Sequence, residues 1–341
     1  MENIQEIINR EIAGQGNQVD IAGALPKVLT AIAENAKFNK SAKITVSVKG
    51  YKVNDAEDGF DANAGATGTV IVKGFNEAGE TLPVQEVAIT LDEEGEASVE
   101  VEANIGDTIG VMAKIDDSGA TCQMVQKVVG DVTIPVESYP EGIWELSDGY
   151  LNYSAGNDMY NGTVIITADF ALVLPPYQRA GWENKQIPWG GMFQGIPFVK
   201  KAANANEAIT DLDGALNTAA IMSVVSGDCA ARTATIDEQP FYARVNPFLP
   251  SAGMLKYLYD HKAEINQFIN DESLAYGPDT DYDKIPDLYV WSSTDRDPAS
   301  TDNVAANAWY VDLYDGGVGS DRRDYDCRYI VLSVSAFQTR Y

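Results

Sequence analysis

Two runs near the C-terminus decide how this chain is read: Leu288-Tyr289-Val290-Trp291-Ser292-Ser293-Thr294-Asp295, and after it Asn307-Ala308-Trp309-Tyr310-Val311-Asp312-Leu313-Tyr314-Asp315-Gly316-Gly317. Both combine β-branched and aromatic residues with a closing turn, so strands are expected over Leu288 to Trp291 and Ala308 to Leu313, with a third over Tyr329 to Val334. Side chains alternate across a strand. Trp309, Val311 and Leu313 therefore face one way, and Tyr310, Asp312 and Tyr314 the other. The second set is a surface of Tyr and Asp. The loop at 319–327 adds Asp321, Arg322, Arg323 and Tyr325, a composition suited to an adaptable binding surface.

Upstream of these strands, two helices are expected. One covers Ala215 to Val225 after Asp213-Gly214. The other follows Leu249-Pro250-Ser251, with Ser251 as N-cap and Leu255, Leu258, Lys262, Ile265 and Ile269 stepping by three and four. From Lys43 to Glu137 the period changes to two. Ile44–Val48, Thr69–Val72, Val87–Leu91, Ala97–Glu102, Thr108–Lys114, Gln123–Val129 and Val132–Val136 read as seven short strands separated by Gly and Asp/Asn turns. That pattern predicts an immunoglobulin-like β-sandwich, with no chemical constellation of its own, acting as a spacer. Before it lie two short amphipathic helices, with Ile4, Ile8 and Ile12 on the first and Leu25, Val28, Leu29 and Ile32 on the second. Neither stripe can be buried within so short a helix, so these residues either fold onto the next domain or, as preferred here, anchor or oligomerise the protein. The predicted class is multi-domain α+β: a helical segment over 1–42, a sandwich over 43–137 and an α+β domain over 138–341.

The chain of 341 residues carries a formal charge of −27. Residues 1–43 are neutral, 44–137 carry −13 and 138–341 carry −14. Phosphate binding needs a basic footprint, so nucleic acid is excluded as a partner, and an anionic membrane surface with it. The first residues lack a basic and apolar leader, and no run of about 18 apolar residues exists; synthesis in a cytoplasm without membrane insertion is expected. Cys122, Cys229 and Cys327 are widely spaced and imply neither a disulfide framework nor a zinc site.

Enzyme signatures are missing. His261 lies between Asp260 and Lys262 on a helix flank and reads as a solvated histidine. No G-x-S-x-G elbow, Walker-type loop or G-x-G-x-x-G follows a strand. Paired carboxylates for glycoside hydrolysis remain open among 51 acids, because spacing alone does not choose a pair. The alternating acids Asp279, Asp281 and Asp283 suit calcium in composition, but Lys284 and Val290 stand where an EF-hand needs Gly and Glu, so a solvated acidic loop is the preferred reading. No cofactor is otherwise expected.

The segments LPSAGMLKYLYDHKAEIN (249–266), YVWSST (289–294), AWYVDLYDGGV (308–318) and CRYIVLSV (327–334) occur in an order that resembles the C-type-lectin-fold domains of Bacteroidales and their phages, including variable proteins diversified by retroelements. The stretch DGALNTAAI (213–221) fits the first helix of that family, and the resemblance spans about 205–337. The head VDIAGALPKVLTAIAENA (19–36) is similar to N-termini of structural proteins from crAss-like gut phages. The resemblance implies that Trp291 and Trp309 are scaffold, and that ligand contacts fall on Asp295, Arg296, Asp297, Tyr310, Asp312, Tyr314, Asp321, Arg322, Arg323 and Tyr325. The Glu-Pro-Asn and Gln-Pro-Asp calcium motifs of long-loop lectins are absent, as are the paired active-site cysteines of formylglycine-generating enzymes. The expected protein is a homo-oligomeric fibre or decoration subunit of a virion. Its N-terminal segment would contact other virion proteins, and its lectin-like domain a host-surface glycan or protein. Alternatives are a virion protein whose lectin-like domain only packs against neighbouring subunits, and a carboxylate-based glycan hydrolase.

Overall fold

The computed structural model describes residues 41–56, 59–116, 119–120, 124–128, 131–147, 150–152, 160–176, 187–191, 195–235, 245–276, 284–297, 307–323 and 328–337. The proposed anchoring residues Ile4, Ile8, Ile12, Leu25, Val28, Leu29 and Ile32 lie outside them, as do Asp279, Asp281, Asp283 and Tyr325.

The first half forms β1 (Ser41–Val53), β2 (Phe60–Ala62), β3 (Thr67–Phe75), β4 (Gln85–Thr90), β5 (Glu96–Asn104), β6 (Thr108–Ile115), β7 (Gly119–Ala120), β8 (Met124–Lys127) and β9 (Val132–Ser138). In one sheet β1 is central, antiparallel to β5 and parallel to β9, with β2 on its C-terminal end. The other sheet runs β4-β3-β6, and β6 also pairs β7 and β8. Alternation aims Ile44, Val46 and Val48 of β1 at Val70 and Val72 of β3 and at Ile109 and Val111 of β6, in one core. Each such side chain contributes about 1.5–3 kcal/mol on burial. All seven expected strands form; β2 and β7 are too short to show a period. At one flank Gln85 joins the two sheets. Its Nε2 donates to the Glu102 carbonyl at 2.6 Å, and its Oε1 accepts from the Glu102 amide at 3.0 Å.

The second half mixes helices and strands. In chain order these are β10 (Gly142–Ser147), β11 (Tyr150–Asn152), β12 (Tyr160–Ile166), β13 (Ala171–Leu174), β14 (Ile187–Pro188), β15 (Lys201–Ala202), α1 (Ala205–Ala208), α2 (Gly214–Val224), α3 (Ala230–Thr235) and β16 (Val245–Phe248). Then follow α4 (Ala252–Asp260), α5 (Lys262–Tyr276), β17 (Tyr289–Arg296), β18 (Asn307–Asp312), β19 (Val318–Arg322), β20 (Arg328–Tyr329) and β21 (Val334–Ala336). A six-stranded sheet has the order β11-β10-β12-β13-β21-β16, and a four-stranded sheet the order β15-β17-β18-β19. The whole is an α+β protein.

Two expectations change in detail. The single helix read through Leu255 to Ile269 divides at His261, whose φ of −106° and ψ of 11° leave helical geometry. Leu255, Leu258, Ile265 and Ile269 nevertheless enter one core. The strand expected over Tyr329 to Val334 splits as well. Its start pairs β14, Ile330 bridges Val290, and the chain then crosses to the six-stranded sheet as β21.

The core does not stop at residue 138. Trp144, Leu146, Val164, Ile166, Val173 and Phe337 share the cluster built by the sandwich strands. Tyr139 stacks on Tyr51 at 4.6 Å and meets Phe60 and Phe337 edge-on. A second junction lies on the outer face of β3, where Phe75 stacks on Phe198 at 5.6 Å. Here Gly79, at φ +84°, lets the turn approach so closely that a Cβ would sit 2.0 Å from the Phe198 ring. The ion pairs Lys73–Asp213 (3.1 Å) and Lys114–Asp169 (3.5 Å) span the same side.

Candidate functional site

The run Trp291-Ser292-Ser293-Thr294 is buried throughout. Buried polar groups must be paired, and these are tied to distant segments. Ser292 Oγ donates to the Trp309 carbonyl at 2.8 Å. Thr294 Oγ1 donates to Asp211 Oδ2 at 2.6 Å and accepts from the Ala252 amide at 2.9 Å. Thr294 thus caps α4, the role expected of Ser251. The Ser251 hydroxyl instead donates to the Asp211 carbonyl at 2.6 Å. Asp211 also accepts from Asn217 Nδ2 at 2.7 Å and from the Asp213 amide at 3.0 Å. Burial pushes its carboxyl up to about 6, with the Asp213 charge adding to the rise and the hydrogen bonds from Thr294, Asp213 and Asn217 opposing it.

Three indoles complete the frame. Trp189 Nε1 donates to the Ser292 carbonyl at 2.7 Å, Trp291 Nε1 to that of Ile187 at 2.9 Å, and Trp309 Nε1 to that of Ala202 at 3.1 Å. A buried indole needs such a partner, and here each partner lies on a segment far away in sequence. Trp291 and Trp309 are both buried, as expected of scaffold.

This frame fixes the four-stranded sheet. One face, with Val290, Trp309, Val311 and Leu313, enters the core under α4 and α5. Trp291, Ala308 and half-buried Tyr310 lie on the other. Four aromatic rings gather there. Tyr310 lies 4.7 Å from Tyr329, Tyr289 lies 5.6 Å from Tyr310 and 5.5 Å from Tyr329, and Trp291 lies 4.5 Å from Tyr329. The Tyr329 hydroxyl donates to Asp321 Oδ2 at 2.6 Å. Burial first, then the charges of Asp321 and Asp312 and the neighbouring Tyr289, raise the Tyr310 hydroxyl above its ordinary range, so it keeps its proton through neutral pH.

At the end of the sheet where Tyr289 pairs with Asp312, apolar side chains reach solvent. Leu288 is 37% exposed, Tyr289 48% and Tyr314 74%. The backbone beneath them is held from below. Lys262 Nζ, at the start of α5, donates to the Pro286 carbonyl at 2.9 Å and the Leu313 carbonyl at 2.7 Å, and pairs with Asp287. Asp312 Oδ1 accepts from the Tyr314 amide at 2.8 Å and fixes the turn. Gly316, at φ +78°, closes it where a Cβ would meet the Tyr259 ring at 2.2 Å.

Of the ten residues proposed for ligand contact, the nine that are described do not form one face. Asp295 and Arg323 are buried against each other as an ion pair. The Arg323 guanidinium also donates to the Asn307 carbonyl at 3.1 Å and stacks 4.6 Å from Trp189. Burial lowers its pKa to about 10. These two residues, read as surface, are internal, because Arg323, directly after β19, packs over Trp189 and its carbonyl accepts from the Gly190 amide. Asp312 is likewise buried in its turn. Arg296 is half-buried, donating to Ser320 Oγ at 2.6 Å beside Trp309, and half-buried Asp297 donates its amide to the Ala202 carbonyl. Tyr314 and Arg322 are exposed, and Tyr310 and Asp321 lie partly exposed between them. Arg322 pairs with Asn307 and Tyr289 with Asp312, so they sit at opposite ends of the sheet, about 16 Å apart at ~3.3 Å per residue. Tyr289 and Tyr329 were not among the ten. Tyr289 shares the parity of Trp291, a signal present in the sequence; Tyr329 enters only through the β14–β20 pairing.

Among the described residues no group of three His, Cys, Asp or Glu suits a metal ion, and no helix is long and apolar enough to cross a membrane. Cys229 is a buried free thiol. His261 is partly exposed and stacks 4.2 Å from Tyr257. Asp211 and Glu272 are the described carboxyls with clearly raised pKa, and both are buried in the fold.

No family model matches the chain, and no curated protein matches it. Among solved structures, the C-terminal domain of the shaft pilin spaA from Lactobacillus rhamnosus GG aligns at 12% identity. The alignment covers 30% of this chain and 98% of that one, with a TM-score of 0.18, a likeness too slight to support an argument.

Proposed function

We propose that the protein is a non-enzymatic fibre or decoration subunit of a virion, whose C-terminal domain attaches to the host surface. In this reading the two-sheet unit is immunoglobulin-like, the unit after it is C-type-lectin-like, and residues 1–42 hold the subunit to its own copies or to other virion proteins. The observation that carries the binding role is the exposure of Leu288, Tyr289 and Tyr314 at one end of a sheet whose interior is locked by buried hydrogen bonds. Exposed apolar residues are ordinary when scattered; grouped on a rigid support they mark an interaction site. Many copies on one particle add avidity, so each site needs only modest affinity.

The packing-only alternative draws support from the continuous core between the halves, which makes the molecule a rigid block. Two readouts separate the readings. Particles carrying Leu288→Ser, Tyr289→Ala and Tyr314→Ala together are expected to assemble normally, contain the protein, and adsorb poorly to host cells. Normal adsorption of such particles refutes the attachment role, and failure of assembly favours the packing role. A virion preparation lacking the protein removes the virion assignment altogether.

A further inference from the structure

We infer that buried Glu272 and Glu145 hold one proton between α5 and the six-stranded sheet, and that its loss as pH rises loosens the grip of α5 on the backbone entering β17 and leaving β18. Glu145 lies on β10 opposite Thr163 of β12. It shares the parity of Ile143, and Thr163 that of Ile165, and both isoleucines pack in the core under α5. Glu272 follows Ile269, a member of the same core, by three residues along α5. Glu145 is 1% exposed and Glu272 2%, and Glu272 Oε2 has no hydrogen-bond partner among the described residues. A buried carboxylate without a donor, beside a second carboxyl, is costly, and a proton removes that cost. Burial, then the charges of Glu145 and Asp271, accordingly raise the Glu272 carboxyl to about 7. Asp271 is exposed and accepts from Gln267 at 2.8 Å. The charges where α4 meets α5 are matched locally: Lys256 with Asp260, His261 with Glu264 at 3.7 Å, and Lys262 with Asp287.

The first turns of the same helix hold the four-stranded sheet. Asn266 Oδ1 accepts from the Ile285 amide at 2.8 Å, and its Nδ2 donates to the Ile285 carbonyl at 3.2 Å. Lys262 Nζ donates to the Pro286 and Leu313 carbonyls. One helix thus grips the chain just before β17 and just after β18, next to exposed Leu288 and Tyr314. With Glu272 ionised, two buried negative charges face each other, and the undocked helix, whose carboxyl is solvated, is favoured. The folded value exceeds the ordinary 4.5, so the hold contributed by this proton is full below about pH 4.5 and is lost as pH rises through about 7. The switch is a property of the fold and does not depend on the attachment role.

The test follows amide exchange of the full chain at about pH 6 and about pH 8, corrected for intrinsic rates. The probes are the Ile285 amide, held by Asn266, and the Leu313 amide, which donates to the Leu288 carbonyl at 3.0 Å. Opening at both is expected to rise about tenfold between the two conditions, the ratio that linkage gives for values of 4.5 and about 7. Glu272→Gln, neutral at either pH, should abolish the rise, Glu145→Gln should reduce it, and His261→Asn should leave it. Unchanged opening in the wild type overturns the inference. So does an equal rise at Val70 and Val72 of β3, which would mean that the whole fold titrates. A rise that survives Glu272→Gln, or that vanishes with His261→Asn, overturns it as well. A rise suppressed by added calcium chloride would put a cation rather than a proton on the pair, and overturns it too.

Discussion

At the scale of single residues, Thr294 shows how a short motif becomes structure. Its hydroxyl serves as donor to Asp211 and acceptor for the first amide of α4. Thr294→Val removes both bonds and leaves buried groups unpaired, so a loss of about 3 kcal/mol is expected in denaturant unfolding, with Thr294→Ser recovering most of it. Asp211 gives a pH signature. Its folded pKa of about 6 exceeds the ordinary 3.8, so the folded state holds the proton more tightly than the unfolded chain. Stability contributed by this group is therefore full below about pH 4 and falls as pH rises to about 6, by about 3 kcal/mol. Unfolding free energies of wild type and Asp211→Asn, measured from pH 4 to 7, should diverge in slope over that window. Equal slopes would contradict the burial argument. Sequence alone shows Ser-Ser-Thr as a polar interruption between Trp291 and Asp295, but not its partners, which come from segments distant in the chain.

Among elements, alternation made the sandwich strands legible because each has one buried face. The helix pattern from Leu255 to Ile269 also keeps its buried stripe, although the backbone bends at His261. What stayed hidden depends on register and crossing. The aromatic group needs β17, β18 and β20 side by side, and the Asp295–Arg323 pair forms only once Arg323 packs inward over Trp189. Helix α5 carries a second pH-sensitive feature. Burial, then the nearby charges of Glu145 and Asp271, push Glu272 up to about 7. The folded state again holds the proton more tightly, so docking of α5 weakens as pH rises from about 4.5 to about 7. Amide exchange in α5 should accordingly be faster at pH 8 than at pH 6 once corrected for intrinsic rates, and Glu272→Gln should remove the difference. At the junction of the halves, Gly79→Ala forces a Cβ into the Phe198 ring and a strained φ, and should lower the unfolding midpoint.

For the whole molecule, the described parts of the two halves share one core. Composition suggested a boundary near residue 138, but Trp144, Leu146, Val164 and Phe337 complete the sandwich core. Deleting residues 1–138 should expose that surface and yield an aggregating or unfolded fragment, while the full chain should unfold residues 41–337 in a single transition. The shared core gives a meaning to the uneven charge: two acidic halves joined through one core, with exposed apolar residues at one end of a sheet. Of the two arginines beside that sheet, Arg323 adds little to the surface charge, because it is spent on Asp295 and Trp189. The central claim is that this sheet end makes the contact. Its most direct test is the cell-binding isotherm of full-length Tyr289→Ala beside wild type, at matched thermal unfolding. The account predicts at least about a tenfold loss of affinity; an unchanged isotherm would contradict it.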